Sequence, residues 1–280
     1  MGKNIYEMVT DRIIEKLEEG VVPWRKPFQS GQAINWKTKK AYRGINTLLL
    51  SGGEYATFNQ IKEAGGEVIK GSKSHMVIFW KLLDVEDYET AEDKKVPMMR
   101  YYRVFEINTQ VEGLESKRIL ETFDHDPIEE SEQIKDQYFN GPSYSFDPSG
   151  AWYRPFEDRV NVPPMKEFEN VNEYYSTMFH KMVRSTGHRE RLNRDGVATM
   201  NSFGSELYSK EELVAELGAS MLCSIVGIDN DTIDNSASYI QAWLSKLKND
   251  KKLIVQASQQ AQKAPDRILG IEFDNSKENR

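Results

Sequence analysis

Residues 180–188 read His180-Lys181-Met182-Val183-Arg184-Ser185-Thr186-Gly187-His188, the outline of a zinc-protease helix with its chemistry removed. The H-E-x-x-H pattern works because two His at i and i+4 share a helical face and hold zinc. The Glu at i+1 takes a proton from the metal-bound water. Here the first His is kept, Lys181 stands at the Glu position and Arg184 at that of the second His. Both changes put a cation where zinc needs a carboxylate and a neutral imidazole. The helix therefore predicts a protease-shaped domain that is not a protease.

The chain is long enough, at 280 residues, for two domains of ordinary size. Hydrophobic content of 39% with 29% charged residues excludes a disordered chain. The single cysteine, Cys223, rules out an internal disulfide and points to a reducing compartment. It lies in the apolar run Leu217 to Val226, which reads as a buried structural thiol. No apolar run approaches the ~18 residues of a membrane span, and the first residues lack the apolar core of a signal peptide. A cytoplasmic protein without a membrane partner is expected. The net charge of −7 is unevenly spread: residues 1–83 carry 13 Lys and Arg against 8 Asp and Glu, a net of +5, leaving −12 for the rest. A polyanion would bind the front half.

The spacing of Ile5, Met8, Val9, Ile13 and Leu17 predicts a first helix over 4–19, ended by Gly20. Thr57 and Gln60 form a capping-box pair for a short helix before Gly65-Gly66. Strands are expected at 67–70 and 75–83, joined by a turn at Gly71, with residues 84–99 a charged excursion before a strand at 101–107. An acidic stretch over 124–136 marks a boundary. The expected division is an N-terminal domain over 1–124 and a C-terminal one over 125–280. Short strands are expected at 144–146, 152–153 and 159–162. Beyond them the chain reads as helical: Asn170 with Glu173, and Ser209 with Glu212, have capping-box spacing, Gly187 and Gly227 stop the two helices, and Pro265 follows the last one. The fold class is α+β, with a mixed N-terminal domain and a mainly helical C-terminal domain carrying a small sheet.

Between Trp24 and Arg43 there are six cations, Arg25, Lys26, Lys37, Lys39, Lys40 and Arg43, and no Asp or Glu. Trp24, Phe28, Trp36 and Tyr42 are interleaved with them. Cations neutralise phosphates and exposed rings stack on unpaired bases, which suits single-stranded nucleic acid with little sequence preference. The competing reading is a solvated loop whose rings belong to the core. Trp24 follows Pro23, and Tyr42 precedes an apolar segment.

Taken in order, a set of short segments resembles the ArdC-type antirestriction proteins. They are Ile5-Tyr6 through Pro23-Trp24, Tyr42-Arg43-Gly44-Ile45-Asn46, Thr57-Phe58-Asn59-Gln60 before Gly65-Gly66, Lys70-Gly71, Tyr101-Tyr102-Arg103-Val104-Phe105 and Gln110-Val111-Glu112-Gly113-Leu114. In the second half they are Tyr174-Tyr175, Phe179-His180, Ser185-Thr186-Gly187-His188, Arg191-Leu192-Asn193-Arg194 and Glu211-Glu212-Leu213-Val214-Ala215-Glu216. The resemblance implies an N-terminal single-stranded-DNA-binding domain, a C-terminal zincin-type metallopeptidase domain, and a role on mobile elements in protecting DNA from restriction. It also implies a third metal ligand at Glu212, with Glu216 as the alternative. Glu212 is equally the third helical residue of the Ser209 capping box.

Arg184 cannot lose its proton and so cannot donate a lone pair to a metal. No cofactor is expected. Zinc is the exception, if a remnant site of His180, His188 and Glu212 works. A more economical arrangement puts the Arg184 guanidinium in the vacated position, paired with Glu212 or Glu216, with His180 alongside. Two readings remain open. One is a single-stranded-DNA-binding protein whose zincin-like domain is silent and offers a surface to a protein partner. The other is a residual zinc peptidase built on His180, His188 and Glu212.

Overall fold

The computed structural model describes residues 4–24, 32–86, 93–116, 127–198, 205–228 and 237–271. The first helix, α1 (Ile5–Glu18), starts where the periodicity places it. Asn4 caps it, and Glu7 returns the bond to the Asn4 backbone, satisfying two of the free N–H groups of the first turn.

A four-stranded sheet follows, in the order β1 (Ala33–Asn35), β2 (Gly53–Thr57), β5 (Asp93–Glu106), β4 (His75–Glu86). β1 runs parallel to β2, and the other pairs are antiparallel. One turn of helix, α2 (Asn46–Leu49), separates β1 from β2, and α3 (Phe58–Glu63) follows with the expected Thr57–Gln60 capping box. Two strand expectations are corrected. The segment at 67–68 is β3 (Glu67–Val68), but it pairs with β6 (Val111–Glu112) rather than folding back on β4. A short helix, α4 (Ile107–Gln110), leads into β6. The excursion expected at 84–99 is largely strand, because β4 and β5 stay in register out to Glu86 opposite Asp93. Ladder hydrogen bonds belong to the backbone, so a charged stretch without alternation can still pair.

The second half opens with α5 (Pro127–Gln137) and a small sheet in the order β7 (Ser143–Ser145), β9 (Arg159–Asn161), β8 (Trp152–Arg154). Then come α6 (Val171–Ser185), the short α7 (Asp195–Ala198), α8 (Glu206–Val226), α9 (Ala237–Asn249) and α10 (Leu253–Ile268). Gly227 ends α8 in the left-handed conformation, as expected. Pro265 does not follow the last helix. It sits inside α10, which continues to Ile268. Among the described residues no helix is long and apolar enough to cross a membrane.

The halves share a core. Val9, Ile13 and Leu17 of α1, Trp24 and Ile78 of β4 are buried in one cluster with Leu217 of α8, Leu247 of α9 and Ile254 of α10. Polar contacts follow the same route: Thr10 donates to the Lys251 carbonyl at 2.6 Å, and Lys251 reaches Asp11 at 2.8 Å. A second cluster joins Tyr175, Phe179 and Met182 of α6 to Leu222 and Cys223 of α8 and Val160 of β9. Cys223 is buried there as expected. The helices α6 and α8 cross closely at Gly218. A Cβ on that residue would lie 2.7 Å from a Val183 methyl.

Candidate functional site

On α6, His180 and Arg184 are one turn apart and point the same way. Both meet Glu212 on α8. His180 Nε2 lies 3.1 Å from one Glu212 oxygen, and Arg184 Nη1 lies 2.9 Å from the other. Glu212 is free to do this because the helix start differs from expectation. Ser205 caps α8, accepting from the Tyr208 N–H, so Ser209 lies a turn inside and Glu212 caps nothing. The Arg184 guanidinium also sits 5.5 Å from the centre of the Tyr208 ring.

The electrostatics follow from burial and neighbours. Burial by itself pushes the Glu212 carboxyl up. The hydrogen bond from His180 and the charges of Arg184 and Lys181 overcome it, holding the pKa down at about 2. Burial pushes the His180 pKa down, as do Lys181 and Arg184, against the upward pull of the Glu212 carboxylate that its Nε2 faces. Its other nitrogen, Nδ1, is buried without a partner among the described residues. Burial also lowers the Lys181 amine. One turn along α8, burial raises Glu216 to about 7, while it accepts a 2.6 Å bond from Tyr239, whose oxygen accepts from Trp24 Nε1 at 3.0 Å.

A divalent metal does not fit this arrangement. The His180 nitrogen and both Glu212 oxygens that could ligate it are committed to one another and to a guanidinium. The remnant trio of His180, His188 and Glu212 is not assembled. The chain turns after α6, and His188 Nδ1 accepts instead from the Glu190 N–H at 3.3 Å. Among the described residues no three His, Cys, Asp or Glu side chains are grouped to hold a metal. Beside the site runs a pair that sequence reasoning missed. Arg194 grips Glu211 through two bonds of 2.9 and 2.6 Å, and also reaches the Thr186 hydroxyl and the Val183 carbonyl. Both residues lie in segments that carry the family resemblance, but nothing in their 17-residue separation pairs them with each other.

The expected nucleic-acid residues divide. Trp24 is fully buried, its ring edge-on to Trp243. Trp36 is buried with its indole N–H on the Glu115 carbonyl, and Tyr42 is buried against Tyr55. All three rings serve the core, which corrects the stacking role expected of them. The turn after β1 is different. Asn35 Oδ1 accepts from the backbone N–H groups of Lys37 and Thr38, and Lys39 takes a left-handed φ of 60°. This local geometry presents exposed Lys37, Lys39 and Lys40 together. Lys37 lies 2.8 Å from exposed Glu63, and Lys39 lies 2.5 Å from buried Glu54. Arg43 is half-buried and paired with Asp266 of α10. Arg25, Lys26 and Phe28 lie outside the described residues. Exposed aromatics lie elsewhere: Phe79, Tyr101 and Tyr102 on the β4–β5 ribbon, and Phe58, Phe139, Phe146 and Phe156 outside it.

Comparison with known proteins agrees with this architecture. Residues 3–105 match the family model described as the N-terminal domain of anti-restriction factor ArdC, and residues 140–260 match the one described as a zincin-like metallopeptidase. A Sinorhizobium fredii protein, y4eC, is 31% identical over 94% of this chain and 91% of its own length. An Escherichia coli DNA primase TraC is 29% identical over 96% of this chain, which spans only 20% of the primase. Among solved structures, the antirestriction ArdC protein from the R388 plasmid superposes in its metal-free form with a TM-score of 0.75 at 36% identity, covering 95% of this chain and 97% of that one. Its Mn(II)-bound form gives 0.76 at 32% identity, covering 97% and 100%.

Proposed function

The chain belongs to the ArdC antirestriction family, and we propose that within it this protein binds single-stranded DNA while its zincin-like half performs no proteolysis. The observation that carries the second part is the Arg184–Glu212 contact at 2.9 Å. Metal-assisted peptide hydrolysis needs a cation held by neutral or anionic donors and a carboxylate to deprotonate its water. Here a permanent cation fills the carboxylate's coordination, and Lys181 stands where the base would. A solved relative was captured with Mn(II). The corresponding chemistry in this chain has been traded for an ion pair that keeps α6 and α8 together without metal.

The DNA-binding part is supported by the N-terminal family match and by the lysine turn. Lys37, Lys39 and Lys40 project from one loop, and residues 1–83, which include them, carry a net charge of +5. Contact through phosphates is indifferent to sequence, which suits a protein that shields incoming strands of a mobile element inside a recipient cell. The zincin-like half then serves as scaffold and as a surface for a protein partner.

The test is a titration of the full chain with single-stranded and duplex oligonucleotides of equal length at two salt concentrations. Single strands are expected to bind more tightly, with a log–log salt slope of about −0.7 per phosphate neutralised. Replacing Lys37, Lys39 and Lys40 with Ala should flatten that slope by about 2. Equal affinity for duplex, or no binding at low salt, would end the DNA reading. Chelator-sensitive cleavage of a protein substrate would end the silent-zincin reading.

A further inference from the structure

We propose that the exposed rings of Phe79 and Tyr102 on the β4–β5 ribbon form the stacking platform for the bases of single-stranded DNA. This rests on the DNA-binding reading above and supplies the aromatic component that Trp24, Trp36 and Tyr42 cannot provide. The strand register places Val77 opposite Tyr102 and Phe79 opposite Arg100. In an antiparallel pair, opposed residues and their i+2 neighbours share a face, so Phe79, Arg100 and Tyr102 project together. The opposite face holds Met76, Ile78, Trp80 and Met99, which pack on the helical core.

The rings form a graded series. Tyr55 is 2% exposed and Tyr42 7%, whereas Phe79 is 39% and Tyr102 44% exposed. Successive centroids are 6.3 Å apart from Tyr55 to Tyr42, 6.3 Å from Tyr42 to Phe79, and 5.6 Å from Phe79 to Tyr102. The outer rings are therefore braced by buried ones, and little side-chain freedom is left to lose when a base lands on them. Phe79 and Tyr102 meet at 71°, edge to face, a geometry that leaves ring surface open to solvent.

Charge selects the occupant. Arg100 is exposed on this face. Tyr42 connects the platform to the lysine turn: it comes two residues after Lys40 and packs on Phe79. Rings flanked by cations suit a flexible polyanion with exposed π-faces, which is single-stranded nucleic acid. A duplex hides its base faces and gains nothing from these rings.

The deciding experiment compares a thymidine oligonucleotide with an abasic phosphodiester chain of the same length. The proteins are wild type, Phe79→Ala/Tyr102→Ala, and Phe79→Leu/Tyr102→Leu, the last keeping apolar bulk without a π-face. Wild type should prefer the thymidine strand at least tenfold. Both double variants should lose that preference, with a tenfold to hundredfold drop for the thymidine strand, while abasic binding and salt slope stay unchanged. Full thymidine affinity in the leucine variant, while the lysine-turn variant loses affinity, would overturn the platform and leave the DNA reading standing. Absence of any strand binding by wild type would overturn the DNA reading itself. A change of oligomeric state in both double variants at unaltered DNA affinity would assign the rings to a second copy of the chain and also overturn the proposal.

Discussion

Glu211 and Glu212, neighbours on α8, hold two different arginines. Glu211 binds Arg194 from the turn after α6, and Glu212 binds Arg184 from α6 itself. The first pair is almost sealed from solvent and has its remaining donors satisfied by Thr186 and Val183. The second is partly open and shares its carboxylate with His180. Two consecutive carboxylates thus do unlike work, one bracing the turn and one tying α8 to α6.

Restoring Lys181→Glu and Arg184→His together should return zinc to the site. His180 and Glu212 already converge at 3.1 Å, and an imidazole one turn along α6 would supply a third donor. Elemental analysis after purification without chelator should find about one zinc per chain, with none in the parent. A variant as metal-free as the parent would mean that the surrounding shell has drifted as well.

Glu212 and Glu216 should respond to pH in opposite senses. Glu212 has a folded pKa of about 2, below its unfolded value. Its contribution is present above about pH 4.5 and is lost as pH falls toward 2. Glu212→Gln should therefore be destabilising by up to about 3 kcal/mol at pH 7, the gap closing in acid. Glu216 has a folded pKa of about 7, above its unfolded value. It costs nothing below about pH 4.5 and destabilises increasingly as pH rises through 7. Glu216→Gln, which still accepts from Tyr239, should raise stability by up to about 3 kcal/mol at pH 8 and leave it unchanged at pH 4. Urea melts across pH 2–8 would show the Glu212→Gln gap opening between about pH 2 and 4.5 and the Glu216→Gln gap between about pH 4.5 and 7, and a gap that stays constant across its range would contradict that assignment.

Gly218→Ala should cost about 1–3 kcal/mol. The added methyl meets both methyls of Val183, at 2.7 and 3.0 Å. Val183 is fully buried and stiff at χ1, so α6 and α8 must separate. The loss should appear as a lower urea midpoint at an unchanged slope.

Trp24→Ala should destabilise the whole chain by about 3–5 kcal/mol. It should not act as a selective lesion in DNA binding, because its ring lies between α1 and α9. Thermal unfolding followed by far-ultraviolet circular dichroism and by fluorescence should give one coincident transition that shifts as a unit. Weaker strand binding at unchanged stability would contradict this placement.

Local signals were readable without the structure wherever they are set by neighbours in sequence. The Asn4 start of α1, the Thr57–Gln60 box, the Gly227 stop and the three short strands around 143–161 are of that kind. So was an ion pair of Arg184 with a glutamate of α8 beside His180, because His180 and Arg184 lie on one helix and their chemistry is fixed by residue type. What escaped was decided by partners distant in sequence. Whether Glu212 caps α8 depended on where that helix begins. Pro265 is tolerated inside α10, and Trp24 looked like a stacking residue until α9 closed over it. Tyr102 lies in a segment of the family resemblance, but nothing in 75–104 shows that it shares a face with Phe79 until the register is known.

The common core of α1, Trp24, β4 and the last three long helices has a consequence for how such a protein can change over time. Deleting the zincin-like half would strip the N-terminal half of the surface on which it is folded. Change in the zincin-like half is therefore confined to substitution within it, because removing that half would uncover α1, Trp24 and β4.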